Sequence, residues 1–129
     1  MKQLIVFATA FIVMLLVMRN WPVRDPGLPD DEWFRQSVVD RSELVLVKFG
    51  AEWCGYCVAM EEPLRELEQS HRGRVHVVQV DTEERPAIAH HYGVDAIPRT
   101  LLFRDGKVVA DRGGFMNAAQ LAQWVDGYE

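Results

Sequence analysis

"ELVLVKFGAEWCGYCVAM", residues Glu43 to Met60, passes from an apolar run through a pair of cysteines into helix-like spacing. The first part is a near-continuous β-branched and apolar segment, the pattern of a strand buried on both faces of a sheet. The last part continues as "CVAMEEPLRELEQSH", with Val58, Met60, Leu64 and Leu67 at helical intervals. Pro63 lies inside that segment and predicts a kink, because proline removes an N–H and crowds the preceding turn. Cys54 and Cys57, the two cysteines of the chain, fall where strand passes into helix.

Four chemistries use two cysteines at this spacing. Covalent haem attachment wants a histidine directly after the second cysteine, and that residue is Val58. A tetrahedral zinc site needs four ligands. The candidates are His71, His76, His90 and His91, and the last two are adjacent on a predicted helix and so point in different directions. A structural disulfide across two residues closes a very small loop and stabilises little through chain entropy. A redox pair suits the setting best: at a helix N-terminus, unpaired N–H groups and the helix dipole favour a thiolate at Cys54. A thiol of pKa about 8.5 is only about 3% ionised at pH 7, whereas one of pKa about 7 is half ionised. Cys57, one turn deeper, can then attack a mixed disulfide formed at Cys54. The redox pair is taken forward, with the metal site and the staple left open.

Outward from this stretch, "RVHVVQVD" predicts a second buried strand and "ERPAIAHHYG" a short helix, with Pro86 in its first turn and Gly93 as its stop. "TLLFRDGKVVAD" predicts a hairpin turning at Asp105-Gly106. "NAAQLAQWVDGY" predicts an amphipathic helix capped by Asn117, with Leu121, Trp124 and Val125 facing inward. Upstream, "EWFRQSVV" predicts a first helix with Asp30 or Asp31 as N-cap. Strands alternating with helices, followed by a hairpin, give an α/β domain whose central mixed sheet is flanked by helices.

The N-terminus is different in kind. Leu4 to Met18 is apolar except for Thr9, between Lys2 and Arg19. It predicts an N-terminal hydrophobic helix, either a short membrane anchor with Gln3 and Arg19 snorkelling and Trp21 at the interface, or a cleaved signal. The expected organisation is an anchor or signal over residues 1–21, a Pro-rich linker over 22–30 and a globular domain over 31–129. The near-tie of flanking positive charge leaves orientation to the short N-terminal tail, which favours the N-terminus inside and the domain outside. The net charge of −5, with no basic stripe, excludes a nucleic-acid partner.

"VKFGAEWCGYC" and "YGVDAIPRTLLFRDG" resemble the two signature segments of the thioredoxin-like family. The similarity spans about residues 31–127. The resemblance implies a thioredoxin-like fold and an enzyme, a thiol–disulfide oxidoreductase acting as a protein-disulfide reductase. It implies Cys54 as attacking and Cys57 as resolving cysteine, and Pro98 as a cis-proline facing the disulfide. Ile97 would offer its backbone to an extended substrate, while Trp53, Tyr56 and Gly114 would line the groove. No cofactor or metal is implied beyond a Cys54–Cys57 disulfide. The partners are cysteine-containing protein substrates, a membrane or soluble electron donor and, through the N-terminal helix, a membrane; the expected state is a monomer. Combined with the apolar N-terminus, this predicts a single-pass protein of a bacterial inner membrane facing the periplasm, or a soluble periplasmic protein after signal cleavage. A disulfide oxidase or isomerase is the alternative activity, and a non-catalytic binding or assembly module the alternative class.

Three departures from the family pattern stand out. Lys48 occupies a strand position where the family commonly carries a buried acid; it either snorkels to solvent or sits near the cysteines and favours their thiolates. Gly55-Tyr56 replaces the usual Gly-Pro between the cysteines, which alters the balance of the two redox states. Arg99 follows Pro98 where threonine is usual, and is either a tuning residue for acidic substrates or thiolate, or a solvated side chain.

Overall fold

The computed structural model describes residues 1–19 and 26–129. The interface role expected of Trp21, the linker over residues 22–25 and the side chain of Arg19 lie outside the described residues.

Helix α1 covers Lys2–Arg19, so the expected hydrophobic helix is present. Its large apolar side chains from Leu4 to Met18 are between 46% and 74% exposed. An apolar run of fifteen residues, at about 1.5 Å each, reaches about 22 Å, short of the roughly 30 Å hydrocarbon layer of a bilayer. Among the described residues no helix is long and apolar enough to cross a membrane. The membrane anchor, the single-pass inner-membrane placement and the membrane partnership expected above are corrected accordingly.

The domain begins where Asp31 caps α2 (Glu32–Phe34), its carboxylate accepting the Phe34 N–H at 2.9 Å. Of the two candidate caps, Asp31 is the one used. The chain continues through a π-helical turn, Arg35–Val39, closed by the Asp40 N–H on the Arg35 carbonyl at 2.8 Å. Then follow β1 (Leu44–Gly50), α3 (Gly55–Ala59), α4 (Glu61–Ser70), β2 (Val75–Asp81), α5 (Pro86–His91), β3 (Arg99–Arg104), β4 (Lys107–Gly113) and α6 (Ala118–Asp126). The helix after the cysteines breaks at Met60, three residues before Pro63. Pro63 has no N–H to give to Ala59, four residues back, and its ring crowds that carbonyl, so the last regular turn ends there.

The four strands lie in the order β2-β1-β3-β4, with β1 parallel to β2 and antiparallel to β3. All seven β1 residues are buried, as a central strand with both faces covered requires. On one face Val45, Val47, Phe49, Val78, Leu101 and Phe103 pack with Phe34, Val38 and Ile88. On the other, Leu44, Leu46, Val75 and Leu102 pack with Met60, Leu64, Leu67, Leu121 and Val125. Trp124, expected to point inward, is only partly buried at the rim of this second core.

The β3–β4 hairpin turns through Asp105 (φ 51°) and Gly106 (φ 77°), both left-handed, as a two-residue turn matched to strand twist demands. Its pairing shifts by one residue, from Phe103 opposite Val108 to Leu102 opposite Ala110, so Val109 is bulged out. Asn117 caps α6 by accepting the Gln120 N–H, and the Gln120 side chain accepts the Asn117 N–H in return.

Candidate active site

Strand β1 delivers the site. Its last residue, Gly50, leads through Ala51 and a tight turn, closed by the Cys54 N–H on the Ala51 carbonyl at 3.1 Å, to the cysteines. Cys54 and Cys57 are joined in a disulfide with their Cα atoms 5.2 Å apart. Cys54 is the N-cap of α3, and its Sγ accepts the Cys57 N–H at 3.3 Å. A backbone donor aimed at that sulfur stabilises negative charge when the bond opens. Cys57 is the deeper of the two, 2% exposed against 8% for Cys54.

At Gly50 the strand lies close against α3. A Cβ at this position would lie 3.0 Å from the Cys57 Cβ, 3.1 Å from its Sγ and 3.3 Å from the Lys48 Cε. The Cys57 Cβ is fixed to the α3 backbone and cannot swing away. Gly50→Ala is therefore expected to cost about 1–3 kcal/mol through overpacking. Thermal unfolding of the oxidised protein measures it; an unchanged midpoint would show that α3 rides freely above the strand.

Pro98 reaches this place from the other side. The Ile97–Pro98 bond is cis, and β3 pairs with β1 so that Arg99 lies opposite Phe49. One further step along the register sets Pro98 beside Gly50, the residue that lies against Cys57. Gly114, at a left-handed φ of 87°, donates its N–H to the Pro98 carbonyl at 2.9 Å. Trp53 and Tyr56, next to Cys54 and Cys57 in the chain, are 70% and 71% exposed. The Trp53 indole N–H is held by Glu83 at 2.8 Å, and the Tyr56 ring lies 6.4 Å from that of Phe115. Ile97 is half-buried.

Two departures noted in the sequence resolve into contacts. Arg99 is clamped by Asp111, from Nε at 2.5 Å and from a terminal nitrogen at 2.7 Å, with Asp95 at 3.4 Å. The hydrogen bonds to Asp111, with that carboxylate's charge and Asp95's, hold its guanidinium above the usual arginine range. Lys48 does not snorkel. It is 4% exposed, and its Nζ donates to the Cys57 carbonyl at 3.0 Å. Burial lowers its pKa, and the charge of Glu61 opposes that shift. Opposite it on β3 is Thr100, fully buried, whose hydroxyl has no hydrogen-bond partner among the described residues; such a group costs about 1–3 kcal/mol.

Of the residues singled out from the sequence, Cys54 and Cys57 form the disulfide, Pro98 follows a cis bond, and Trp53 and Tyr56 are exposed. The sequence reading did not single out Gly50, Thr100, Glu83, Phe115 or Asp111. Of these only Gly50 carried a signal, a glycine interrupting a β-branched strand directly before the cysteines. Away from the disulfide, His71 Nε2 and Asp126 Oδ1 meet at 2.8 Å near Glu129, which Arg74 neutralises at 3.0 Å. His71 also shares a 2.7 Å contact with Ser70, and the cluster ties α4 to α6.

A disulfide at a helix cap, a cis-proline at the start of the neighbouring strand and exposed aromatics next to each cysteine in the chain, on a mixed sheet, define a protein that exchanges thiols and disulfides with other proteins. The family model described as "Thioredoxin" matches residues 28–127. Thioredoxin 1 of Synechococcus elongatus is 38% identical over 96 residues, covering 74% of this chain and 90% of the relative. Thioredoxin C-2 of Corynebacterium nephridii is 38% identical over 96 residues, 74% of this chain and 89% of its own. Thioredoxin Y1, chloroplastic, of Arabidopsis thaliana is 36% identical over 93 residues, 72% of this chain and 54% of the relative. The chain belongs to the thioredoxin family: it is a protein-disulfide reductase working by thiol–disulfide exchange, with the Cys54–Cys57 disulfide as its redox centre. With a cyanobacterial and a chloroplast thioredoxin among its relatives, the periplasmic location expected above, anchored or cleaved, is not upheld.

Proposed function

We propose that the chain reduces disulfides of folded or partly folded proteins docked as extended segments against Ile97 and Pro98. The observation that carries this is Cys54 at the rim of an apolar surface, with a backbone donor on its sulfur and Cys57 directly behind it. In the reduced protein the Cys54 thiolate attacks one sulfur of a substrate disulfide. A Cys54–substrate disulfide forms, and the other substrate sulfur leaves with the electron pair and takes a proton from water. Cys57, deprotonated, then attacks Cys54; the intramolecular bond closes and the second substrate sulfur departs. A dithiol donor returns the two electrons.

Docking is restricted in a specific way. Pro98 has no N–H, and its carbonyl already accepts from Gly114. Ile97 is left as the backbone partner of a substrate strand, with Trp53, Tyr56 and Phe115 as apolar contacts. Insulin reduction driven by limiting dithiothreitol tests this proposal. Acceleration well above the dithiothreitol background is the expected result, and no acceleration would overturn the reductase direction in favour of oxidation or isomerisation. Tight binding to a partner that survives loss of both thiols would instead favour the assembly module.

A further inference from the structure

Four residues stand in one row across the sheet, on the face covered by α3 and α4. Gln79 on β2 pairs with Lys48 on β1, Lys48 with Thr100 on β3, and Thr100 with Arg112 on β4. Beyond the row the same face is apolar, through Leu46, Val77, Leu102 and Ala110. The polar end of this layer lies under the disulfide. At its centre Lys48 runs past Gly50, where one point in space is 3.1 Å from the Cys57 sulfur and 3.3 Å from the lysine Cε. The lysine amine ends on the Cys57 carbonyl, at the joint where α3 gives way to α4.

We infer that Lys48 is a positioning residue for the resolving step. Its amine holds the α3–α4 joint and sets a buried cation behind Cys57, favouring the thiolate of Cys57 and thereby the reduced form of the couple. The inference rests on the reductase reading above and deepens it, by naming what fixes the driving force of that site. Gly50 makes it possible, since any side chain there would fill the space the lysine stem uses. Thr100, opposite Lys48 on β3, places a buried hydroxyl beside it in the same row.

The physical logic is one of reference states. In the oxidised form Cys57 carries no charge and Lys48 meets only a carbonyl dipole. On reduction a thiolate forms close to an ammonium in surroundings that screen poorly, and attraction is strong there. Stabilising the reduced state makes a dithiol couple more oxidising. The titratable groups facing Lys48 are Cys57 from α3 and Glu61 from α4. Asp81 lies opposite Gly50 on β2 and is occupied by the N–H groups of Glu83 and Glu84. Gln79 and Thr100 carry no charge.

The test uses the full chain with Lys48→Met, Lys48→Gln and Lys48→Arg. Equilibration in dithiothreitol redox buffers reads the dithiol–disulfide balance, and alkylation rate against pH in a Cys54→Ser background reads the Cys57 thiol alone. Lys48→Met and Lys48→Gln are expected to shift the balance towards disulfide by about tenfold, or about 30 mV for a two-electron couple, and to raise the Cys57 pKa. Lys48→Arg is expected to restore part of both. Unchanged balance and unchanged alkylation profile in Lys48→Gln would overturn the inference. So would a loss of thermal stability equal in the oxidised and reduced forms, which marks packing alone. Lys48→Gln keeps a donor for the Cys57 carbonyl, so it remains readable if Lys48→Met does not fold. Failure of the wild-type chain to reduce insulin would overturn the reductase reading while leaving the redox balance measurable.

Discussion

Cys54→Ser is expected to abolish insulin reduction and to form no covalent adduct with substrate, whereas Cys57→Ser loses turnover but accumulates a mixed disulfide. The asymmetry follows from geometry. Cys54 sits at the rim and accepts the Cys57 N–H, so its sulfur is both nearer to a partner and better suited to carry charge. Cys57 is walled by Gly50 and the Lys48 stem and reaches only inward or towards Cys54. Removing Cys57 leaves the first displacement intact and deletes the second, so the intermediate stalls. Removing Cys54 leaves a thiol that no protein substrate can approach. Mass spectrometry of each variant after incubation with oxidised insulin distinguishes them. Adducts on Cys54→Ser and none on Cys57→Ser would reverse the assigned order.

Phe34→Ala is expected to be the most destabilising single truncation in the layer away from the disulfide. Phe34 is fully buried, with its ring 5.5 Å from that of Tyr92 and 5.8 Å edge-on from that of Phe103. Truncating a buried phenylalanine costs about 3–5 kcal/mol, through lost transfer energy and the cavity left behind. At about 4–8 °C per kcal/mol for a domain of this size, the melting temperature falls by more than about 12 °C. Circular dichroism melts of the oxidised forms measure it. A fall below about 5 °C would show that α2 and the turn after it collapse into the space, and that this short helix is not an anchor of the fold.

Much of this was legible because one physical cause dominated locally. The apolar run Leu44 to Phe49, broken only by Lys48, reads as a central strand. Asp105-Gly106 between apolar runs supplied both left-handed residues of a tight turn, and Asn117 before an amphipathic run announced the cap of α6. What escaped was set by tertiary registration. The bulge at Val109 advances β4 by one residue, and a slip of one exchanges the faces of a strand. That shift brings Asp111 round to Arg99 and aligns Arg112 with Thr100, neither of which a residue pattern announces. Lys48 was seen as misplaced in a buried strand, but choosing between solvent and cysteine needed the gap at Gly50. The membrane expectation rested on apolar composition, and composition does not supply the missing length.

The bond from the Gly114 N–H to the Pro98 carbonyl has a kinetic meaning. In the docking proposed above, it leaves a visiting chain the backbone of Ile97 to pair with, and each such bond is worth only about 0.5–1.5 kcal/mol net. An encounter held by so little dissociates quickly unless a covalent bond forms, and it reads almost nothing of the visitor's sequence. In the docking proposed above, the choice of client falls to which disulfides are strained or exposed, and a complex lasts only as long as its sulfur–sulfur link.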